Sequence, residues 1–201
     1  MPKDFNATIQ TSTRFSCLFG VEPDARVWGF AMPAQNPSAF PILDIGAGRG
    51  RNALPLARHR FGVDVIEGTT KFAEMQTEAL RDKLNLRICK NDSFDDIQGL
   101  RRDYQLVILS DIASYFRTSE QLHKVFTPAA QSLATGGRFV MNTFLAKEGY
   151  TPDLSARESG QQCYSAIFTR NERSCLECGG NSLAAISEDW DLDLIRRRGQ
   201  G

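Results

Sequence analysis

The sequence predicts one α/β domain, in which helices cover both faces of a doubly wound, mostly parallel sheet. Strand-like and helix-like apolar patterns alternate along most of the chain, as in β-α-β units joined by right-handed crossovers. Residues 106–109 are all apolar, as expected for a strand buried on both faces of a parallel sheet. A glycine-rich turn at 46–50 joins the first predicted strand to a helical pattern.

The first half of the chain supplies three strands and two helices. The strands are predicted at 40–45, 63–67 and 86–90, and the helices at 52–60 and 72–80. Pro41 is acceptable because it stands at the start of its strand. Pro55 is acceptable in a helix only near the first turns. The apolar spacing from Phe72 onward is helical.

The second half continues the alternation. A fourth strand is predicted at 104–110, and Thr118 and Gln121 fit a capping box that opens a helix running to about Ala134. Gly136-Gly137 is expected to end that helix before a fifth strand at 138–144. A second capping box at 169–172 predicts a last helix.

The two ends of the chain fit the alternation less well. Residues 1–38 show no clear periodicity and are interrupted by prolines. We therefore expect an N-terminal cap or partly disordered segment at 1–38, followed by the main domain at 39–201. At the C-terminus only 183–187 and 192–196 remain as strand candidates. They form a small hairpin, or else the sheet lacks its last antiparallel strand.

Composition argues against several classes of protein. The 201 residues carry 24 basic and 24 acidic side chains, so no overall field favours nucleic acid or a membrane surface. No apolar run is long enough to span a bilayer, and the start of the chain has no apolar signal-peptide core. Five scattered cysteines favour free thiols, so we expect a cytoplasmic protein.

Cys175 and Cys178 form a single C-x-x-C without the four ligands of a structural zinc site, so no metal is expected. Nothing indicates the oligomeric state.

The glycine spacing separates two classes of nucleotide site. Gly46 and Gly48 match the first two positions of the dinucleotide fingerprint G-x-G-x-x-G, but its third position falls on Arg51. The third glycine is Gly50, one residue early, and Asp44 precedes Gly46 by two residues. Glycines placed this way allow backbone to turn sharply beside a ligand.

Acids or hydroxyls follow each of the first four predicted strands. They are Asp44, Glu67, Asp92 and the pair Ser110-Asp111. Ligands of open parallel sheets bind at the carboxyl ends of the strands, so we expect these side chains to line one site. Singly, Asp92 could instead cap a helix, Glu67 could be a solvated loop acid, and Asp111 could pair with Arg117.

This D-x-G-x-G-x-G arrangement resembles motif I of the Rossmann-like class I methyltransferases that depend on S-adenosylmethionine (SAM). The run 46–54 looks like the tellurite-resistance-type small-molecule methyltransferases, and the turn at 133–138 resembles the one before strand five of the superfamily. The resemblance covers roughly residues 40–145, and more weakly 164–187.

The resemblance implies SAM as cofactor and assigns its contacts. The implied cofactor-binding residues are Asp44, Gly46, Ala47, Gly48, Gly50, Asn52, Glu67, Gly68, Asp92, Ser93, Phe94, Ser110 and Asp111. Glu67 would accept hydrogen bonds from the ribose hydroxyls, and Asp92 would accept one from the adenine amine. Phe94 would cover the face of the adenine ring.

The implied reaction is in-line methyl transfer to a small-molecule or metalloid acceptor. Asp111 and Tyr115 are the candidate catalytic residues: Asp111 to orient the acceptor or take a proton, and Tyr115 to meet the sulfonium with its ring face. The turn after strand four lacks the Asn/Asp-Pro-Pro-aromatic sequence of nucleobase amino-methyltransferases, which argues against nucleic acid. Two alternatives remain: a SAM-binding protein without catalysis, and an NAD(P)-dependent oxidoreductase, which Arg51 disfavours.

Overall fold

The computed structural model describes residues 22–90, 99–145, 149, 167–168, 183–189 and 192–197. The helices are α1 (Ala25–Ala31), α2 (Ala53–Arg58), α3 (Phe72–Arg81) and α4 (Ser119–Gln131), with 3-10 turns at Pro37–Ala39 and Ala113–Tyr115. The strands are β1 (Ile42–Ile45), β2 (Val63–Glu67), β3 (Leu86–Lys90), β4 (Tyr104–Leu109), β5 (Leu133–Met141), β6 (Phe144–Leu145), β7 (Ile167–Phe168), β8 (Leu183–Asp189) and β9 (Leu192–Arg197). The helix predicted after Thr169 lies outside the described residues.

Seven of these strands form one sheet in the order β3-β2-β1-β4-β5-β9-β8. β1 to β5 are parallel, while β9 runs antiparallel to both β5 and β8. The strand order reverses between β1 and β4, which is the switch point where open α/β sheets bind ligands. The predicted doubly wound, mostly parallel sheet is therefore confirmed.

The C-terminal antiparallel pair is present. β9 pairs with the second half of β5, from Arg138↔Arg196 to Met141↔Asp193, and β8 returns along its other side. The hairpin alternative is thus correct, and the alternative of a sheet without its final strand is wrong. Backbone pairing with the edge of β5 satisfies β9, and β9 in turn pairs with β8, so both short strands form whatever their apolar pattern.

The prediction that Gly136-Gly137 separates α4 from β5 is wrong. β5 begins at Leu133 and contains both glycines. Tyr104 pairs with Leu133 and Leu106 with Arg138, so β5 bulges between these pairs. Gly136 has φ +78°, and a Cβ on Gly137 would lie 2.7 Å from the Tyr104 carbonyl oxygen. The glycines therefore serve close backbone approach inside the strand.

The capping box that opens α4 is confirmed. The Thr118 side chain accepts from the backbone N–H of Gln121, and the Gln121 side chain accepts from the backbone N–H of Thr118. Together the two contacts satisfy two N–H groups that the first helical turn would leave unpaired.

Apolar side chains fill both faces of the sheet. On one face, Leu43, Val107 and Leu109 pack with α4. On the other, Ile42 and Leu106 pack with α1, α2 and α3. Among the described residues, no helix has the length and apolar content needed to cross a membrane.

Candidate functional site

The glycine turn after β1 uses its three glycines differently. Gly46, Gly48 and Gly50 all have positive φ, at 72°, 59° and 85°, where side chains other than glycine are strained. A Cβ on Gly46 would lie 2.1 Å from Ile112 Cδ1, and one on Gly50 would lie 2.8 Å from Leu54 Cγ. A Cβ on Gly48 would meet no atom of the described residues within 4 Å. Gly46 and Gly50 therefore permit close packing, whereas the position of a Cβ on Gly48 is open among the described residues, and a ligand could enter there.

Asp44 lies beneath this turn, with 2% of its surface exposed. Its carboxyl accepts a hydrogen bond from the backbone N–H of Ala53, and its Oδ2 has no partner among the described residues. Burial raises the pKa of Asp44 to about 7, and the nearby carboxyls of Glu67 and Asp111 add to this rise, while Arg51 opposes it. The site thus contains a buried acid that titrates near neutral pH.

Glu67 ties the end of β2 to the glycine turn. The backbone N–H of Gly48 donates to Oε2 at 2.5 Å, and that of Thr69 donates to Oε1 at 2.7 Å. The residue is 3% exposed, and Gly68 beside it is also buried. Each carboxylate oxygen can accept more than one hydrogen bond, so both keep capacity for a ligand hydroxyl.

Asp111 at the end of β4 is held from two sides. Its φ is +62°, an uncommon conformation outside glycine. The Asn142 side chain, just after β5, accepts from the Asp111 backbone N–H and donates to Asp111 Oδ1, while Arg51 Nη2 donates to Oδ2. Burial raises the pKa of Asp111, and the Asn142 hydrogen bond and the Arg51 charge oppose that rise. The structure pairs Asp111 with Arg51, where the sequence offered Arg117.

The N-terminal segment lies against the same edge of the sheet. Asp24 caps α1 and accepts from Ser110 Oγ at 3.1 Å, and its backbone N–H donates to Asn52 Oδ1 at 2.9 Å. Arg26 reaches back to Asp24 through Nε at 2.8 Å and Nη2 at 2.6 Å. The Asn52 side chain therefore holds this segment and does not cap the six-residue helix α2.

The other predicted residues are placed as follows. Ala47 is half-buried in the turn, and Tyr115 is half-buried in the second 3-10 turn, where it packs against the apolar cluster around α4. Asp92, Ser93 and Phe94 lie outside the described residues. The roles assigned to all of these residues stay predictions.

Sequence reasoning missed three members of this site. Arg51 was interpreted only as a mismatch to the dinucleotide fingerprint, although it directly follows the last glycine of a turn at the ends of the strands. Asp24 and Arg26 sit in a segment without periodicity, where the only available signal was an acid before a short apolar helix.

No metal centre is visible in the described part of the chain, where no group of three or more His, Cys, Asp or Glu side chains could hold an ion. Cys89 is free and exposed. The C-x-x-C of Cys175 and Cys178 lies outside the described residues.

Comparisons with known proteins identify the fold. No family model matches the sequence, and no curated protein matches it. Geranyl diphosphate C-methyltransferase from Streptomyces coelicolor A3(2) is similar in structure, with TM-score 0.65 and 16% identity over 87% of this chain and 79% of that one. An O-methyltransferase family protein from Burkholderia thailandensis is also similar, with TM-score 0.63 and 16% identity over 88% of this chain and 56% of that one.

A third similar structure comes from work on the conversion of a disulfide bond into a thioacetal group during echinomycin biosynthesis. Its TM-score is 0.63, with 16% identity over 88% of this chain and 82% of that one. None of these three is described as tellurite-resistance-type. At such identities the likeness concerns the fold, and the chain has the fold of these methyltransferases.

Proposed function

We propose that this chain is a SAM-dependent methyltransferase acting on a small molecule or metalloid. One observation carries the proposal: at the switch point of the sheet, beside the buried acids Asp44 and Glu67, no atom of the described residues comes near the position of a Cβ on Gly48. The similar C-methyltransferase was solved with S-adenosyl-L-homocysteine (SAH), which supports the same cofactor for this chain.

The glycine turn and Glu67 suit the nucleoside half of such a ligand. Glu67 has two buried oxygens already oriented by backbone N–H groups, so a vicinal diol meets a carboxylate that needs little rearrangement. Charge-assisted hydrogen bonds of this kind contribute about 1.5–3 kcal/mol each. The resemblance would give Asp92, Ser93 and Phe94 to the adenine end of the proposed site.

SAM would supply an activated methyl group on a sulfonium. The chain's part is to align the acceptor and exclude water. In this proposal Asp111 orients the acceptor or takes its proton, and Tyr115 meets the sulfonium of the donor with its ring face. We further propose that residues 1–38 cap the site, which the Asp24–Ser110 contact supports.

The exposed thiol of Cys89 fits a reducing, cytoplasmic compartment.

The oxidoreductase alternative is less consistent with this turn. The third glycine of the fingerprint allows close packing of helix against strand. Here the glycine in close contact is Gly50, one residue earlier than the fingerprint places it, and it packs against Leu54 and Met75 of two helices. The guanidinium of Arg51 meanwhile occupies the rim beside Asp111.

Substitution of Glu67 tests the cofactor assignment. We expect Glu67→Ala to weaken SAM binding tenfold or more, or about 1.4 kcal/mol, by isothermal calorimetry. Glu74→Ala is the matched control, because Glu74 is 63% exposed and pairs with Arg49 at the surface. Equal affinity in the Glu67 variant and the wild type would contradict the assignment.

Transfer of a radiolabelled methyl group tests catalysis. We expect label from SAM to reach at least one member of a panel of metabolites and metalloids. Tight SAM binding without label in any acceptor would instead support the non-catalytic alternative.

A further inference from the structure

We propose that Asn142 is a positioning residue, which holds Asp111 in a left-handed backbone conformation with its carboxyl ionised and turned toward the methyl acceptor. This inference rests on the proposed function, in which Asp111 orients the acceptor or takes its proton. It deepens that function, because it says what keeps the proposed base in place.

The register of the sheet brings the two residues together. β4 and β5 are parallel neighbours in which Leu109 pairs with Met141. Asp111 comes two residues after Leu109, and Asn142 directly follows Met141, so both leave the sheet at the same edge. Because β5 lies on the side of β4 away from β1, Asn142 approaches Asp111 from the side opposite the glycine turn.

The backbone of Asp111 is in a conformation that needs support. Among the described residues, Arg60, Lys83 and Asp111 are the non-glycine positions with positive φ. Arg60 and Lys83 each follow the end of a helix by two residues, where a left-handed residue is a common way to end the helix. Asp111 follows a strand, so its φ of +62° has no such explanation. Conformations of this kind persist where the surrounding contacts enforce them, often at functional sites.

The amide of Asn142 supplies two of those contacts at once. The Asp111 backbone N–H can only donate, so the amide oxygen of Asn142 accepts from it, and the amide nitrogen donates to Asp111 Oδ1. A planar amide has an acceptor and a donor side by side, whereas an ionised carboxylate can only accept. The pair of contacts thus fixes the backbone and the side chain of Asp111 relative to each other.

The same hydrogen bond favours the ionised form of Asp111. Burial raises the pKa of Asp111, and the largest opposing influence is the hydrogen bond from Asn142. Charged groups of α1, the glycine turn and β1 also interact with this carboxyl; they are Asp24, Arg26, Arg51 and Asp44. These groups stay in place when Asn142 alone is replaced. The Asp111 side chain is 14% exposed, so an acceptor can reach it.

Titration of the Asp111 carboxyl in the protein without ligand tests the contact, by NMR of the carboxyl carbons. The Asp111 signal is the one lost in Asp111→Asn. Asn142→Leu replaces the amide with an apolar group of similar size, so Asp111 should titrate at higher pH than in the wild type. Asn142→Ala should shift the titration in the same direction without the bulk of leucine. Asn142→Gln, which keeps an amide, should restore part of the wild-type behaviour.

Asn85→Ala is the matched control, because Asn85 is exposed and precedes β3 at the opposite end of the strands. It should leave the titration of Asp111 unchanged. The inference is wrong if Asp111 titrates as in the wild type in Asn142→Leu and Asn142→Ala, or if Asn85→Ala shifts it equally.

The pH profile of methyl transfer separates positioning from support of the fold alone. With an acceptor that takes label from SAM, the acidic limb of the rate should move to higher pH in Asn142→Leu, because the base must be ionised to take a proton. A limb that stays in place would contradict the positioning role, while the proposed function stands. If no acceptor takes label, the proposed function fails, and the inference that rests on it fails too, whatever the titration shows.

Discussion

At the scale of single residues, Asp44 couples the site to pH. Its pKa is raised from 3.8 to about 7 in the folded chain, so between these values the folded state keeps a proton that the unfolded chain has released. Stability from this group is therefore fully present below about pH 4 and is lost as pH rises to about 7. The slope is about 1.4 kcal/mol per pH unit within that window.

Asp44→Asn should remove this dependence, because an amide cannot ionise. We expect the unfolding free energy of the variant, relative to wild type, to rise by several kcal/mol between pH 4.5 and pH 7.5, measured by urea denaturation. Titrations shared by both proteins cancel in the difference. A difference that stays constant across this range would show that Asp44 is ionised throughout.

The sequence predicted site residues where a local rule exists. Glu67, Ser110 and Asp111 were identified because acids and hydroxyls at the ends of parallel strands converge on one edge. Arg51 and Asp24 were missed because the partner of a long or loop-borne side chain depends on tertiary packing. Asp24 and Ser110, for example, are 86 positions apart.

At the scale of elements, the three glycines of the turn are expected to contribute differently to stability and to ligand binding. Gly46→Ala adds a methyl group against Ile112, and Gly50→Ala adds one against Leu54 and Met75. Overpacking of this kind costs about 1–3 kcal/mol, in addition to the strain of positive φ. Gly48→Ala adds only the strain, because its Cβ would contact no atom of the part of the chain that the structure describes. We expect it to destabilise the fold less than the other two and still to weaken SAM binding.

Thermal unfolding and calorimetry together check this expectation. Gly48→Ala should give the smallest fall in Tm of the three variants, with a loss of SAM affinity at least as large as theirs. Full SAM affinity in Gly48→Ala would mean that the ligand does not approach the turn at that residue.

A second set of polar contacts, at the end of the strands opposite the glycine turn, stabilises the sheet. The Tyr104 hydroxyl donates to Asp64 Oδ2 at 2.5 Å, and Arg87 donates to both Asp64 oxygens at 3.0 and 2.6 Å. Tyr104 is fully buried, and burial together with the Asp64 contact raises its pKa. One carboxylate on β2 thus contacts side chains from the adjacent strand β3 and from β4, which lies on the far side of β1.

Tyr104→Phe should destabilise the fold by about 1–3 kcal/mol, since a hydrogen bond to a buried charge is lost. Chemical denaturation measures the loss. Asp103→Asn, which alters an exposed pair with Arg101, should change stability by less than about 0.5 kcal/mol. Equal effects of the two substitutions would argue against a stabilising role for the buried hydroxyl.

Element boundaries were predictable where local signals were strong. The sequence placed β2 and β3 to the residue and identified the capping box of α4, because turn residues and caps are short-range features. It placed the end of α4 and the start of β5 wrongly, because a glycine pair ordinarily ends a helix. Here the pair relieves contact with Tyr104, a neighbour known only from the sheet register.

At the scale of the whole molecule, sheet order explains why distant residues meet. β1 and β4 are neighbours although β2, β3 and two helices lie between them in sequence. This places Asp44, Asp111 and Arg51 close enough for their charges to interact. The alternation of elements predicted the sheet and its rim of acids, whereas the pairing of charges along that rim required the folded chain.

Ligand binding to the intact chain tests the central claim most directly. SAM, SAH and NADH would each be titrated into the protein by isothermal calorimetry under identical conditions. The account predicts saturable one-to-one binding of SAM and SAH, and none of NADH at comparable concentration. Tight binding of NADH without binding of SAM or SAH would contradict it.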